Sequence, residues 1–217
     1  NAVKLRIDSA LGLNEFYSDR NGTEELVSVK RNEGGFVHVA DTLAEDENTR
    51  NTFTCDMLIT NVSIKEADEE RNLPEKAIIK GAIFDFRNSL LPVEFSAINP
   101  KAIAYFESLE ASNTNPTFTK LWGRQVSETI VRTITEESAF GEDSVREVKS
   151  SRKDFVITGA SKEPYEWDSE DTITANELAE AIAARETHLA TIKQRQDEYK
   201  ASQGANVAAP SNSGFNF

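Results

Sequence analysis

Two stretches of the chain alternate aromatic with cationic residues at a spacing of two. In residues 118–124, alternate positions hold Phe118, Lys120, Trp122 and Arg124, and the intervening ones Thr119, Leu121 and Gly123. In residues 78–87, Lys80, Ala82, Phe84 and Phe86 alternate with Ile79, Gly81 and Ile83, and Arg87 follows. Residues two apart on a strand share a face. Each stretch, if extended, therefore sets flat rings beside positive charge. Single-stranded nucleic acid needs that pairing: bases stack on aromatic planes at about 1–3 kcal/mol each while cations follow the phosphates. Arg152 and Lys153, with Lys4 and Arg6, would lengthen such a groove. The competing reading is strand core, with Phe and Trp packed inward and the Lys and Arg stems reaching out to water.

Covalent and metal chemistry have less to work with. His38 lies in an alternating segment and His188 beside an apolar helical stripe, and neither belongs to a metal-binding spacing. The single cysteine, Cys55, allows no intramolecular disulfide, and its apolar neighbours make it a small buried hydrophobe. A lone thiol fits a reducing compartment. No nucleophile elbow, phosphate loop or dinucleotide fingerprint is present. The acidic runs 45–47 and 68–70 lack the glycine and spacing of a calcium loop. The expectation is a protein that is not an enzyme and holds no cofactor or metal.

These residues need elements to position them. The 217 residues, 38% hydrophobic and 28% charged, suffice for one globular domain with a sizeable core, or one domain with an appendage. No stretch reaches the roughly 20 apolar residues of a membrane helix, and the first residues lack a signal-peptide pattern. The formal charge of −13 excludes a uniformly basic nucleic-acid binder but not a local basic groove. The acid is concentrated in 41–72 and 161–174.

Residues 1–160 read as strands, rich in Val, Ile, Thr and Phe at period two, with turn chemistry at Asn21-Gly22, a break at Gly34-Gly35 and a turn at 140–143. A short helix interrupts them. Asn99 is an N-cap, Pro100 suits the first helical position, Ile103, Phe106 and Leu109 share a face, and the helix should stop near Ala111. Residues 161–173 read as an acidic linker. Thr174 and Glu177 form a capping box that opens a long helix over 174–202. Its stripe of Leu178, Ile182, Leu189, Ile192 and Tyr199 is interrupted by Arg185 and Gln196. That helix could lie on the β domain or pair with a second copy. The tail, 203–217, has no charged side chain and ends in Phe215 and Phe217, which read either as chance aromatics on a flexible end or as a docking peptide for a partner's apolar pocket. The fold class is thus mainly β with added helices: an OB-like barrel, one short helix after the central strands and one long C-terminal helix.

The run from Lys80 to Arg87 followed by Leu91-Pro92-Val93-Glu94 resembles phage-encoded single-stranded DNA-binding proteins. So do Phe118 to Gly123, Ser138 to Glu142 and Arg152 to Phe155. The resemblance spans roughly residues 50–200. It implies an accessory of phage replication or recombination that coats exposed single strands in the host cytoplasm and recruits replication or recombination proteins through its tail. The usual tail in such proteins is acidic; here the tail is uncharged. The alternative is a phage structural or interaction protein, a virion component or an inhibitor of host proteins.

Overall fold

The computed structural model describes residues 3–19, 22–40, 49–68, 73–136, 144–167, 169 and 172–206, without the side chains at 128, 130, 132, 133, 135, 136, 150, 152 and 203–206. The elements run β1 (Leu5–Ser18), β2 (Glu25–Val39), β3 (Thr52–Lys65), β4 (Lys76–Phe84), β5 (Leu90–Ala97), α1 (Pro100–Ser108), β6 (Thr117–Glu136), β7 (Ser144–Ala160) and α2 (Ala175–Asn206). They divide into two units. One holds Asn1–Lys4, Ala40–Ile83 and Pro92–Thr172, the other Leu5–Val39, Phe84–Leu91 and Ile173–Phe217.

The first unit is a closed barrel in the order β3-β4-β5-β7-β6. β3 runs antiparallel to β4 and β6, β6 antiparallel to β7, and β5 meets β7 in parallel at Ser96 and Val156. With α1 between the third and fourth barrel strands, the architecture is OB-like, as the sequence pattern implies. The barrel begins at Thr52, however, and not among the first residues, so the expected 1–160 barrel is too long at its N-terminal end.

Strand alternation builds the interior. The register sets Phe53, Cys55 and Met57 opposite Gly123, Leu121 and Thr119, all on the inward side. Met57, Ile59, Ile79, Phe95 and Leu121 are 0–1% exposed. Phe53, Phe95 and Phe155 close one region of the core, with ring centroids 5.0–5.8 Å apart in tilted and edge-on arrangements that suit aromatic quadrupoles. Cys55 belongs to this inward row, and burial, with the Asp56 charge beside it, pushes its thiol up to about 12. It is inert at neutral pH. α1 starts as its residues dictate: Asn99 accepts from the Lys101 N–H at 2.9 Å, Pro100 opens the first turn, and Ile103 and Phe106 are buried. It stops at Ser108, a turn short of Ala111.

The acidic segment after β7 is not a free linker at its start. Ser161 N donates to Lys120 O at 2.9 Å and Tyr165 N to Phe118 O at 2.8 Å, so this stretch lies alongside β6. Asp168, Glu170 and Asp171 lie outside the described residues.

The second unit is the β1–β2 hairpin with α2. Gly34-Gly35 does not break β2. The pairing shifts between Asp8 and Ala10, and the two glycines absorb this bulge with φ of 58° and 128°. A Cβ on Gly35 would sit 2.7 Å from Asp8 O, so no larger residue fits there.

α2 begins on its capping box. Thr174 N donates to Glu177 Oε2 at 2.9 Å and Glu177 N to Thr174 Oγ1 at 3.3 Å. The helix continues four residues past the expected end, to Asn206, giving 32 residues and about 48 Å. The two polar interruptions of its stripe are the residues that hold the hairpin. Both guanidinium nitrogens Nη1 and Nη2 of Arg185 donate to the Glu15 carboxylate. Gln196 accepts from Tyr17 N at 3.0 Å and donates to Tyr17 O at 2.7 Å, so its amide occupies the edge of β1 where a further strand would pair. Ile182 and Tyr199, expected in the stripe, are 46% and 64% exposed.

Candidate nucleic-acid interface

The outward row of β6 in the barrel is Phe118, Lys120, Trp122, Arg124 and Val126. Its neighbours on β3 are Leu58, Asp56, Thr54 and Thr52, and on β7 Gly159 faces Trp122, Val156 faces Arg124 and Asp154 faces Val126. Trp122 is the centre of this row. It is 42% exposed, and its indole lies over Gly159: a Cβ there would be 2.2 Å from Nε1 and 2.3 Å from Cε2. The glycine lets the ring lie down on the sheet with its other side in solvent. That is the form of a stacking platform, rigid and flat. Lys120 on one side is exposed and Arg124 on the other is half-buried.

Phe118 does not join this platform. It is 6% exposed, and the Tyr165 ring covers it with centroids 5.3 Å apart. The Tyr165 hydroxyl donates to Asp56 at 2.8 Å, which fixes the cover in place. Alternation put Phe118 on the same face as Trp122; the segment after β7 buries it. A base cannot reach it without displacing Tyr165.

The other expected residues are distributed as follows. Lys80 is exposed on the outside of β4 and pairs with Glu94 at 3.6 Å. β4 is buried on both faces around it, with Ile78, Ile79, Ala82 and Ile83 at 0–6%, so the expected open aromatic face of this strand does not form inside the barrel. Phe84 ends β4, and Phe86 and Arg87 sit in the turn that follows; all three fall in the second unit, and the Asp85 carboxylate holds the turn by accepting from Arg87 N and Ser89 N at 2.8 Å each. There Phe86 is 86% exposed and the Arg87 guanidinium sits 5.0 Å from its ring centroid. Lys153 is exposed and pairs with Ser127, on the opposite face of the ribbon from the Trp122 row. Arg152 pairs with Glu128 through the backbone; its side chain lies outside the description, as do Phe215 and Phe217. Lys4 is exposed, and Arg6 pairs with Asp8 at 3.0 Å on the hairpin. His38 stands 3.6 Å from Asp8, and His188 is exposed on α2.

Two features escaped sequence reading. One is Gly159, although a glycine inside a strand pattern is itself a signal of close approach. The other is a small cavity lined by Leu73, Pro74, Lys76, Ile98, Val126, Asp154 and Val156. It lies between the β3–β4 connection and the foot of the long β6–β7 arm, and Lys76 Nζ bonds Asp154 Oδ2 across it at 3.3 Å. No local pattern announces it, since its walls come from three strands and two connections. Among the described residues no three His, Cys, Asp or Glu side chains gather as a metal site, and no helix is long and apolar enough to cross a membrane.

Fold and surface together define an OB-like barrel protein with an exposed tryptophan between two cations. The model of the YorF family matches residues 1–195, and the chain belongs to that phage-related family. No curated protein and no solved structure matches it.

Proposed function

We propose that this protein binds single-stranded DNA during phage DNA replication or recombination, in the cytoplasm of the bacterial host, and that it performs no catalysis. The observation that carries the reading is the Trp122 indole laid across Gly159, with Lys120 and Arg124 two residues to either side on the same outward row. An exposed ring costs hydrophobic free energy unless something stacks on it, and the flanking cations suit the phosphates of an extended strand.

A fluorescence titration tests this. With Trp167 replaced by Phe, so that Trp122 alone reports, oligo-dT should quench the emission and duplex DNA should not. Affinity should fall steeply between low and moderate salt as counterions are released. Absence of quenching by any single strand would sink the proposal.

A second reading, a structural or interaction protein, draws on the hairpin. Leu5, Ile7, Val37 and Val39 pair across β1 and β2 on one face, all 49–76% exposed. Self-association that survives loss of 201–217 but not of 174–200 would favour that reading.

A further inference from the structure

We propose that two copies of this chain associate face to face through the base of the β1–β2 hairpin. This rests on the interaction reading given second above, names its partner, and is independent of DNA binding.

Leu5 pairs with Val39 and Ile7 with Val37, so four aliphatic side chains adjoin on one side of the ribbon, each 49–76% exposed. Arg6 and Asp8 lie on the other side by alternation and pair with each other at 3.0 Å. The extra residue of the bulge belongs to β2, so the alternation of β1 runs unbroken and sets Leu5 and Ile7 in one row with Glu15 and Tyr17. α2 covers the far end of that row, where Arg185 binds Glu15 and the Lys193 ammonium lies 5.5 Å from the Tyr17 ring centroid. The cover stops short of the base. A two-stranded ribbon is marginal in water unless a helix or further strands pack on it. A contiguous exposed apolar patch marks an interface with another molecule.

The chain's own tail does not reach this patch. Lys200 bonds Asp19 and Glu24 at the turn end of the hairpin, and α2 runs on past them to Asn206. Phe215 follows nine residues later, at most about 32 Å of chain. Ile7 lies eleven residues back along β1 from Ser18, about 36 Å away at the usual rise.

Charge selects the second copy. A formal charge of −13 draws basic partners to the acidic segments 41–72 and 161–174, and it drives two copies apart there. Within residues 5–9 and 34–39 the formal charges are those of Arg6 and Asp8, which cancel. Two copies therefore meet at the hairpin base with the least repulsion. A patch that is aliphatic on both of its strands is also complementary to itself, as a two-fold interface requires. The polar side chains of α2 that break its stripe are already engaged with the hairpin, so the helix has less to offer a second copy.

Sedimentation equilibrium of the full chain tests this. Wild type should form dimers, and added salt should tighten them, because the repulsion between acidic copies is screened while apolar burial is not. Ile7→Lys sets like charges against each other across the two-fold and should weaken the dimer about a hundredfold or more. Val37→Thr keeps the β-branched shape that the hairpin needs, buries two hydroxyls per dimer and should weaken it about tenfold. Ile182→Lys on the exposed side of α2, and Phe215→Ala with Phe217→Ala in the tail, should leave it unchanged. A dimer that survives both hairpin substitutions, dissolves with added salt, or is lost through Ile182 or the tail overturns the hairpin assignment and leaves self-association standing. A wild-type chain that stays monomeric at every concentration overturns both.

Discussion

In the barrel, Phe53, Phe95 and Phe155 interlock over an interior of Met57, Ile59, Ile79 and Leu121 that water does not reach. Among the described residues of the hairpin–helix unit, only Ala181 of α2 belongs to the buried apolar set. There the helix is held by Arg185 to Glu15, Gln196 to the backbone of Tyr17, Lys193 to Glu24, and Lys200 to Asp19 and Glu24. Hydrophobic burial is indifferent to pH and only weakly affected by salt, whereas the exposed Lys193 and Lys200 pairs are screened and contribute little each, and the enclosed Arg185–Glu15 pair depends on the charge of its carboxylate. Two parts of one chain thus answer to different solution conditions.

The largest effect should come from the barrel core. Phe95→Ala removes a ring that is 1% exposed and should cost about 3–5 kcal/mol, read from urea denaturation. A loss below 1 kcal/mol would mean that the aromatic cluster is not what holds the barrel.

In the other unit, Arg185→Met leaves the Glu15 carboxylate, whose side chain is 3% exposed, without its guanidinium. The expected cost is about 1–3 kcal/mol for stranding a charged acceptor. It should appear as faster hydrogen exchange in α2 with little change in β3–β7.

Trp122→Ala should weaken oligo-dT binding by about 1–3 kcal/mol while leaving the fold intact. Gly159→Ala tests the same platform without touching the ring. Its new Cβ would lie 2.2 Å from Trp122 Nε1, so the indole must lift off the sheet. Affinity should fall while the salt slope, set by phosphate contacts, stays the same.

Acid should separate the two units. Burial alone would raise the Glu15 carboxyl, but the hydrogen bonds and charge of Arg185, a hydrogen bond from Ser28 and the charge of His188 outweigh it and hold it below the usual carboxylate range. A depressed folded value means that the stabilisation is fully present above the unfolded value, about pH 4.3, and is lost as pH falls through the folded one. Hydrogen exchange should then show α2 losing protection below about pH 4 while the barrel core keeps its own. Simultaneous loss in both would remove the distinction.

A small change is expected from Thr174→Ala, about 1 kcal/mol from the broken capping box, seen as fraying of the first turn of α2. Lys200→Ala, at the exposed end of the network, should leave the melting temperature unchanged at physiological salt.

Local patterns carried much of this architecture. The Asn99 and Thr174 caps, the turn around Gly22 and the alternation in 118–124 each act within a few residues, so type and spacing decided them. Arg185 and Gln196 were visible as faults in an apolar stripe, yet their purpose was not, because Glu15 and Tyr17 lie about 170 residues away in sequence. Gly34-Gly35 read as a break because the same two glycines serve a turn or a bulge, and only the pairing of β1 with β2 distinguishes them.

Phe118 and Trp122 show where sequence stops. Spacing by two put both on one face of β6, and the pairing with β3 turns that face outward. One was then covered by Tyr165, and the other was left open over Gly159. Periodicity reports which side of a strand a residue occupies. What lies on that side is contributed by distant segments, and the barrel's closure, the Tyr165 cover and the Lys76–Asp154 cavity exist only once those segments are brought together.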